Sequence, residues 1–244
     1  MTGRDCDIAI IGGGLSGGLI ALALARLRPE TSFRLIEAGP RLGGNHRWSW
    51  FASDLSPAGT DLMAGFRKAE WDHGYHVRFP DYRRHLHTPY RSLASSDFAA
   101  RLERDLPEGS ILTNREVAAL DAGGVDLADG TRITARTVID CRGFAPSPAL
   151  QGGWQVFMGR HLKTPEPHGV ARPIIMDAKV DQLAPHGNGG AYRFVYVLPL
   201  GSHELFIEDT YYADSPRLDR SALSARIDRY QQQMGWTGEP VGFE

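Results

Sequence analysis

The chain opens with a short continuous apolar run, Asp7–Ile11, of the kind that forms a strand buried on both faces. A glycine loop, Gly12–Gly18, follows it, and then Leu19–Arg28, rich in Ala and Leu with Pro29 just beyond, which predicts a buried helix. Phe33–Glu37 reads as a second strand, so the first part of the chain forms a β-α-β unit. Arg41–Phe51 is irregular, and residues 52–92 show no clear period. Asp97–Asp105 predicts a helix with Ser96 as its N-cap. Three β-like runs come next, Glu116–Leu120, Gly124–Leu127 and Arg132–Ile139, the last two joined by the hairpin dipeptide Asp129-Gly130. They form a small meander ahead of a returning strand, Thr137–Cys141. Pro146 and Pro148 mark a change of character. Beyond them Tyr192–Leu200 and Glu204–Tyr212 pair through Gly201-Ser202. Leu223, Ile227, Tyr230 and Met234 repeat at helical spacing, with Asp219 as cap and Gly235 as stop.

Composition narrows the picture little. With 42% hydrophobic and 23% charged residues the 244-residue chain is ordinary for a globular protein. A formal net charge of -2 gives no reason to expect nucleic acid as a partner. Two cysteines, Cys6 and Cys141, make no disulfide framework and lack zinc-site spacing, which points to a reducing cytoplasm. No apolar run is long enough for a spanning helix. The pairs His73/His76 and His85/His87 lack the further ligands a metal needs, so no metal is expected. Hydrolase, thiol-redox and P-loop motifs are absent from the sequence.

The glycine loop is the strongest motif. Gly12-Gly13-Gly14-Leu15-Ser16-Gly17 fits G-x-G-x-x-G between a strand and a helix. Gly12 permits the turn, Gly14 lets backbone approach a pyrophosphate, and Gly17 lets helix pack on strand. The helix start, from Ser16, offers N–H groups to phosphate. Glu37 ends the second strand, placed to accept hydrogen bonds from ribose hydroxyls. Arg41-Leu42-Gly43-Gly44 follows, with His46 beside it, and resembles the arginine-glycine segment of FAD-dependent oxidoreductases. Thr137–Gly143, with Asp140 and Gly143, resembles the later strand of that superfamily, which ends near the cofactor. The fold class expected is therefore α/β. A Rossmann-like FAD-binding domain with an inserted meander spans 1–150, and a sheet-rich substrate domain spans 151–244, with 52–110 contributing to the latter. Because a fold opening on β-α-β needs further strands, a missing C-terminal part is also expected.

Taken in order, seven segments resemble bacterial-type lycopene β-cyclases. They are Asp7–Leu24, Gly44–Phe51 (GNHRWSWF), Asp140–Gly143 (DCRG), Gly153–Gly159 (GWQVFMG), Pro173–Ala178 (PIIMDA), Phe194–Leu200 (FVYVLPL) and Phe206–Tyr211 (FIEDTY). The resemblance implies cyclisation of the acyclic ends of lycopene to β-ionone rings, giving β-carotene through one-ringed γ-carotene without net electron transfer. It implies reduced FAD as cofactor, NAD(P)H as reductant, and peripheral contact with the inner membrane from the cytoplasm. Oligomeric state is not legible. Glu208 matches the family's acidic motif and is the candidate acid or its controller, with Asp209 as the neighbouring acidic position. On a strand Phe206, Glu208 and Thr210 share one face, and Ile207, Asp209 and Tyr211 the other. Trp48, Trp50, Phe194, Tyr196 and Tyr211 are candidates to face a carbocation. Two rival readings stay open: an FAD-dependent monooxygenase or isoprenoid reductase on the same fold, and an inactive fragment that binds a nucleotide or lipid.

Overall fold

The structure is a computed structural model describing residues 3–144, 147, 149, 152–183 and 191–244; the expected boundary prolines, Pro146 and Pro148, lie outside them. In chain order the elements are β1 (Cys6–Ile11), α1 (Leu15–Leu27), β2 (Phe33–Ile36), β3 (Arg47–Phe51), α2 (Pro57–Ala64), β4 (Ala69–Trp71), β5 (Tyr75–Phe79), β6 (Tyr82–Leu86) and β7 (Tyr90–Ala94). There follow α3 (Ser95–Asp105), β8 (Ile111–Leu112), β9 (Val117–Asp121), β10 (Gly124–Leu127), β11 (Arg132–Asp140), β12 (Trp154–Lys163), β13 (Ile174–Asp177), β14 (Arg193–Gly201), β15 (Glu204–Ala213), α4 (Arg220–Gln233) and β16 (Glu239–Phe243). They divide into two compact units: Met1–Ser49, Asp54–Lys68 and Ser92–Pro146 in the first, and Trp50–Ser53, Ala69–Arg91 and Ser147–Glu244 in the second.

The first unit holds a six-stranded sheet, β8-β2-β1-β11-β10-β9. β1 runs parallel to both β2 and β11, with α1 as the crossover from β1 to β2. Ala9, Ile10 and Ile11 are buried, as a strand covered on both faces requires. The meander is present, but its last run and the returning strand are one element: the start of β11 pairs antiparallel with β10, and its end pairs parallel with β1. Helix α1 starts at Leu15, earlier than its apolar run suggests, with Gly14 as N-cap. Helix α3 starts at Ser95, so Ser96 lies inside it and Ala94 holds the cap position without a side-chain hydrogen bond. Its face Phe98, Ala99 and Leu102 is buried, and a Cβ on Gly18 would stand 2.3 Å from the Phe98 ring, so α1 needs glycine there to lie against α3.

The second unit is built on a seven-stranded sheet, β16-β12-β15-β14-β13-β5-β6. Residues 69–91, without a readable period, supply the β5–β6 edge. One face of the sheet is covered by α4, whose Leu223, Ile227 and Tyr230 bury against Val195, Val197, Leu205 and Ile207. Each such aliphatic burial stabilises by about 1.5–3 kcal/mol. Asp219 caps α4 by accepting from the Ala222 N–H at 3.0 Å. On the opposite face Phe206, Leu198 and Ile175 gather with Phe51, Trp71, Tyr75, Tyr90 and Tyr196 in an aromatic cluster.

Candidate functional site

The carboxyl ends of β1, β2 and β11 open into a cleft of about 670 Å³ in the first unit. Its walls include Gly12, Gly14, Ser16, Glu37, Gly43, Gly44, His46 and Gly143. Gly12 has φ +100, and a Cβ there would stand 2.5 Å from the Cys141 carbonyl oxygen. Gly17 is needed for close approach, since its Cβ would fall 2.0 Å from the Gly12 oxygen. At Gly14 a Cβ would meet nothing within 4 Å, so the cleft has room beside that backbone. The start of α1 has neither a side-chain cap nor an acidic residue in its first turn. Its N–H groups and partial positive charge are therefore available to an anion.

Glu37 is turned toward its own loop. Its two oxygens accept from the Gly13 N–H at 2.8 Å and the Gly39 N–H at 2.7 Å. The acid thus holds the glycine loop in shape while lining the cleft. Gly13, which donates to Glu37, also accepts from the Gly43 N–H at 2.8 Å, tying the two glycine segments together. His46 stands 5.9 Å from the Trp48 ring, which packs edge-on against Phe98 at 5.1 Å. Four expected cofactor residues do not line the cleft: Gly13 is bound to Glu37, Gly17 packs against Gly12, Arg41 is exposed, and Asp140 grips Arg142 through bonds of 2.9 and 2.8 Å. Arg142 in turn holds the Asp140 carboxyl below its ordinary range. It is Arg142 that reaches the cleft, together with Arg115, a residue that lies in no motif and comes from the loop before β9.

The second candidate site lies on the aromatic face of the seven-stranded sheet. Register places Glu208 between Tyr196 of β14 and Gly159 of β12. A Cβ on Gly159 would stand 2.0 Å from the Phe206 ring, so glycine here lets that ring lie across β12 beside Glu208. The Glu208 carboxyl accepts one hydrogen bond, from the Thr210 hydroxyl at 2.8 Å. No cation pairs with it among the described residues. Burial pushes its pKa up to about 7, the Thr210 bond opposes this, and the carboxylates of Glu244 and Asp209 add to it. Burial likewise raises the Tyr196 phenol, which stays neutral. Phe194, fully buried, meets Tyr196 edge-on at 5.3 Å. Toward the sheet's end this face opens through Phe157, Tyr192 and Tyr212, which are exposed.

Asp209 stands one residue away and faces α4. It is fully buried and accepts a forked pair of hydrogen bonds from Arg193, with Arg226 of α4 at 3.3 Å. Tyr211 is on the same side, with the Arg226 guanidinium 5.3 Å from its ring centre. The structure thus separates Asp209 and Tyr211 from Glu208. Of the aromatic candidates, Phe194 and Tyr196 share its face, Trp48 belongs to the first unit, and Trp50 is half-buried in the second. Among the described residues no three His, Cys, Asp or Glu side chains converge as metal ligands, and no helix is long and apolar enough to cross a membrane.

This architecture is shared with solved enzymes. The 2,6-dihydroxypyridine-3-hydroxylase of Arthrobacter nicotinovorans superposes with a TM-score of 0.56 at 16% identity, over 86% of this chain and 57% of that one. A likeness at that identity speaks to the fold alone, a mixed α/β arrangement of several sheets. The family follows from sequence: the model described as lycopene cyclase protein matches residues 7–243, and the chain belongs to that family. A lycopene beta-cyclase of Pseudescherichia vulneris is 42% identical over 230 residues, covering 94% of this chain and 58% of the relative. One from Paracoccus sp. (strain N81106 / MBIC 01143) is 43% identical over 240 residues, covering 98% and 59%. The chain therefore spans a little under three-fifths of the length of these relatives.

Proposed function

We propose that this chain carries the FAD-binding, Rossmann-like unit and the acid-bearing sheet of a lycopene β-cyclase, an intramolecular lyase that isomerises lycopene to β-carotene. The observation that carries the reading is Glu208: a carboxyl with a pKa near 7, no cation partner among the described residues, and an aromatic surround. A half-buried carboxyl whose pKa is raised this far keeps a large share of the neutral form, which is the form able to give a proton.

The cleft residues fit a flavin dinucleotide. The α1 N-terminus and the open side of Gly14 suit a pyrophosphate, Glu37 lies where ribose hydroxyls would come, and Arg142, paired with Asp140, lines the cleft. Bound reduced FAD, with NAD(P)H as reductant, would supply an electron-rich ring that favours nearby positive charge. Glu208 holds the proton on its carboxyl and delivers it to the terminal double bond of the polyene. The tertiary cation so formed is attacked by the neighbouring double bond, which closes the ring. A ring C–H bond then breaks, its electron pair forming the ring double bond and its proton returning through solvent to the Glu208 carboxylate, so no atoms or electrons are gained overall. The Thr210 hydroxyl stabilises the Glu208 anion left after transfer. Tyr196 and Phe206 present aromatic faces worth roughly 0.5–2 kcal/mol each to a desolvated cation. The exposed rim of Phe157, Tyr192 and Tyr212 gives a hydrocarbon an apolar approach, in keeping with peripheral contact at the inner membrane from the cytoplasm.

The test is anaerobic incubation of the protein with lycopene in liposomes and chemically reduced FAD, read by chromatography, absorption and mass. A β-ringed product of unchanged mass is expected. A product differing in mass would favour the monooxygenase or reductase reading, for which the fold shared with a hydroxylase is the supporting observation. Flavin binding has its own check. Gly14→Ala has space in the fold, so the melting temperature should hold while FAD affinity falls roughly ten-fold, or ~1.4 kcal/mol.

A further inference from the structure

The second unit holds a cationic cleft that neither the flavin reading nor Glu208 uses. The β5–β6 hairpin sets Arg78 directly opposite Arg83 and His76 directly opposite His85. Like charges across an antiparallel pair repel. β13 runs along the other side of β5, and the segment leading into it adds Arg172 and His168. His76, Arg78, Arg83, His168 and Arg172 line a cleft of about 450 Å³.

Very little negative charge answers these cations. Arg78 reaches Asp177 at 3.4 Å, and that carboxylate also accepts from the Tyr230 hydroxyl at 2.8 Å. Arg83 and Arg172 have no ion pair among the described residues. The adjoining wall adds Lys179 and one carboxylate, Asp81. Burial and the nearby Arg83, His85, Arg172 and Arg78 hold the His76 imidazole below its ordinary pKa, which shows how closely the positive charges crowd. Two buried nitrogens, His76 Nδ1 and Arg172 Nε, have no hydrogen-bond partner among the described residues. Such orphans are uncommon in folded proteins, and the Arg172 Nε–H, always a donor, asks for an acceptor. His168 is committed elsewhere: its Nε2 is 2.6 Å from the Gly201 oxygen, and its Nδ1 accepts from the Val170 N–H at 3.0 Å, so it only shapes the wall.

We propose that this cleft is a binding site for a phosphate group, carried by a phospholipid headgroup or by a free phosphate compound, and held by Arg83, Arg172 and Arg78. Guanidinium forks match phosphate oxygens in geometry and charge. A bound anion also relieves the Arg78–Arg83 repulsion and gives an acceptor to the unpartnered Arg172 Nε–H. The site stands independently of the cyclase reading.

Calorimetric titration of the 244-residue chain with inorganic phosphate, against chloride at matched ionic strength, tests it directly. Saturable phosphate binding is expected, weakened roughly ten-fold by Arg83→Gln and by Arg172→Gln. Arg83 is exposed, so its variant should fold, and a melting curve checks this. Arg172→Lys keeps the charge without the fork and should bind less well than the parent. Flotation with phosphatidylcholine vesicles, with and without phosphatidylglycerol, separates the sources. Flotation on the acidic vesicles that is competed by phosphate and lost in both glutamine variants assigns a headgroup. Phosphate binding without flotation assigns a free compound. Phosphate heats no larger than chloride's, or binding unchanged in both glutamine variants, would overturn the proposal.

Discussion

The two faces of the seven-stranded sheet put adjacent carboxylates in opposite circumstances. On the α4 face Asp209 is fully buried but meets Arg193 and Arg226, so its charge is compensated. On the aromatic face Glu208 has, among the described residues, one hydroxyl donor, Thr210, and no cation, and its pKa rises to about 7. The backbone treats them as neighbours, and the pleat alone assigns their surroundings. The lesson is that chemical role follows from what lies across each face. A paired acid holds the sheet to its helix, whereas an unpaired one keeps a proton.

Four measurements would break or sharpen that contrast. The largest effect is expected for Glu208→Gln, which removes the proton and keeps the shape. Product formation should fall by on the order of 10²–10⁴-fold while FAD binding survives. Asp209→Ala should do the reverse. It leaves Arg193 buried without its partner, so chemical denaturation should show a loss of ~3–5 kcal/mol, with activity falling only as folded protein is lost. If the two substitutions behaved alike, the distinction between the faces would fail.

The pH dependence comes next. The native Glu208 pKa, about 7, lies above its ordinary 4.5, so the folded state holds the proton more tightly than the unfolded one. Its contribution to stability is full below about pH 4.5, declines as pH rises toward 7 and is absent above that. The difference amounts to up to ~3 kcal/mol. Melting temperatures across that window should fall in the parent and fall less steeply in Glu208→Gln. Cyclisation should also weaken above pH 7 as the acid ionises. The smallest effect belongs to Gly159→Ala. Its Cβ would collide with the Phe206 ring, costing about 1–3 kcal/mol of stability and displacing an aromatic wall of Glu208.

Much of this was legible in the sequence where local period and burial agree. The first β-α-β unit, the β14–β15 hairpin and α4 each follow from apolar spacing and a turn or cap residue. The β3–β7 stretch was not, because its strands carry Arg78, Arg83, Arg84 and several histidines where half-buried strands usually carry Val or Ile. The alternation around Glu208 gave its face, and the same alternation already set Tyr211 with Asp209, away from it. The partners of Asp209 needed long-range information. Arg193 becomes visible only through the register Arg193↔Tyr211, which the turn at Gly201 fixes, and Arg226 only once α4 is laid on the sheet. In the glycine cleft, Arg115 carried no motif at all, while Arg142 stood inside one whose acidic member, Asp140, drew attention first.

Glu208 is proposed to carry the proton for a mass-neutral ring closure. The most direct test compares the parent protein and Glu208→Gln, both loaded with reduced FAD under anaerobic conditions, on lycopene in liposomes. A β-ringed product of unchanged mass is expected from the parent and essentially none from the variant, with equal flavin content in both. Undiminished ring formation by Glu208→Gln, or a parent that binds flavin and leaves lycopene untouched, would contradict it.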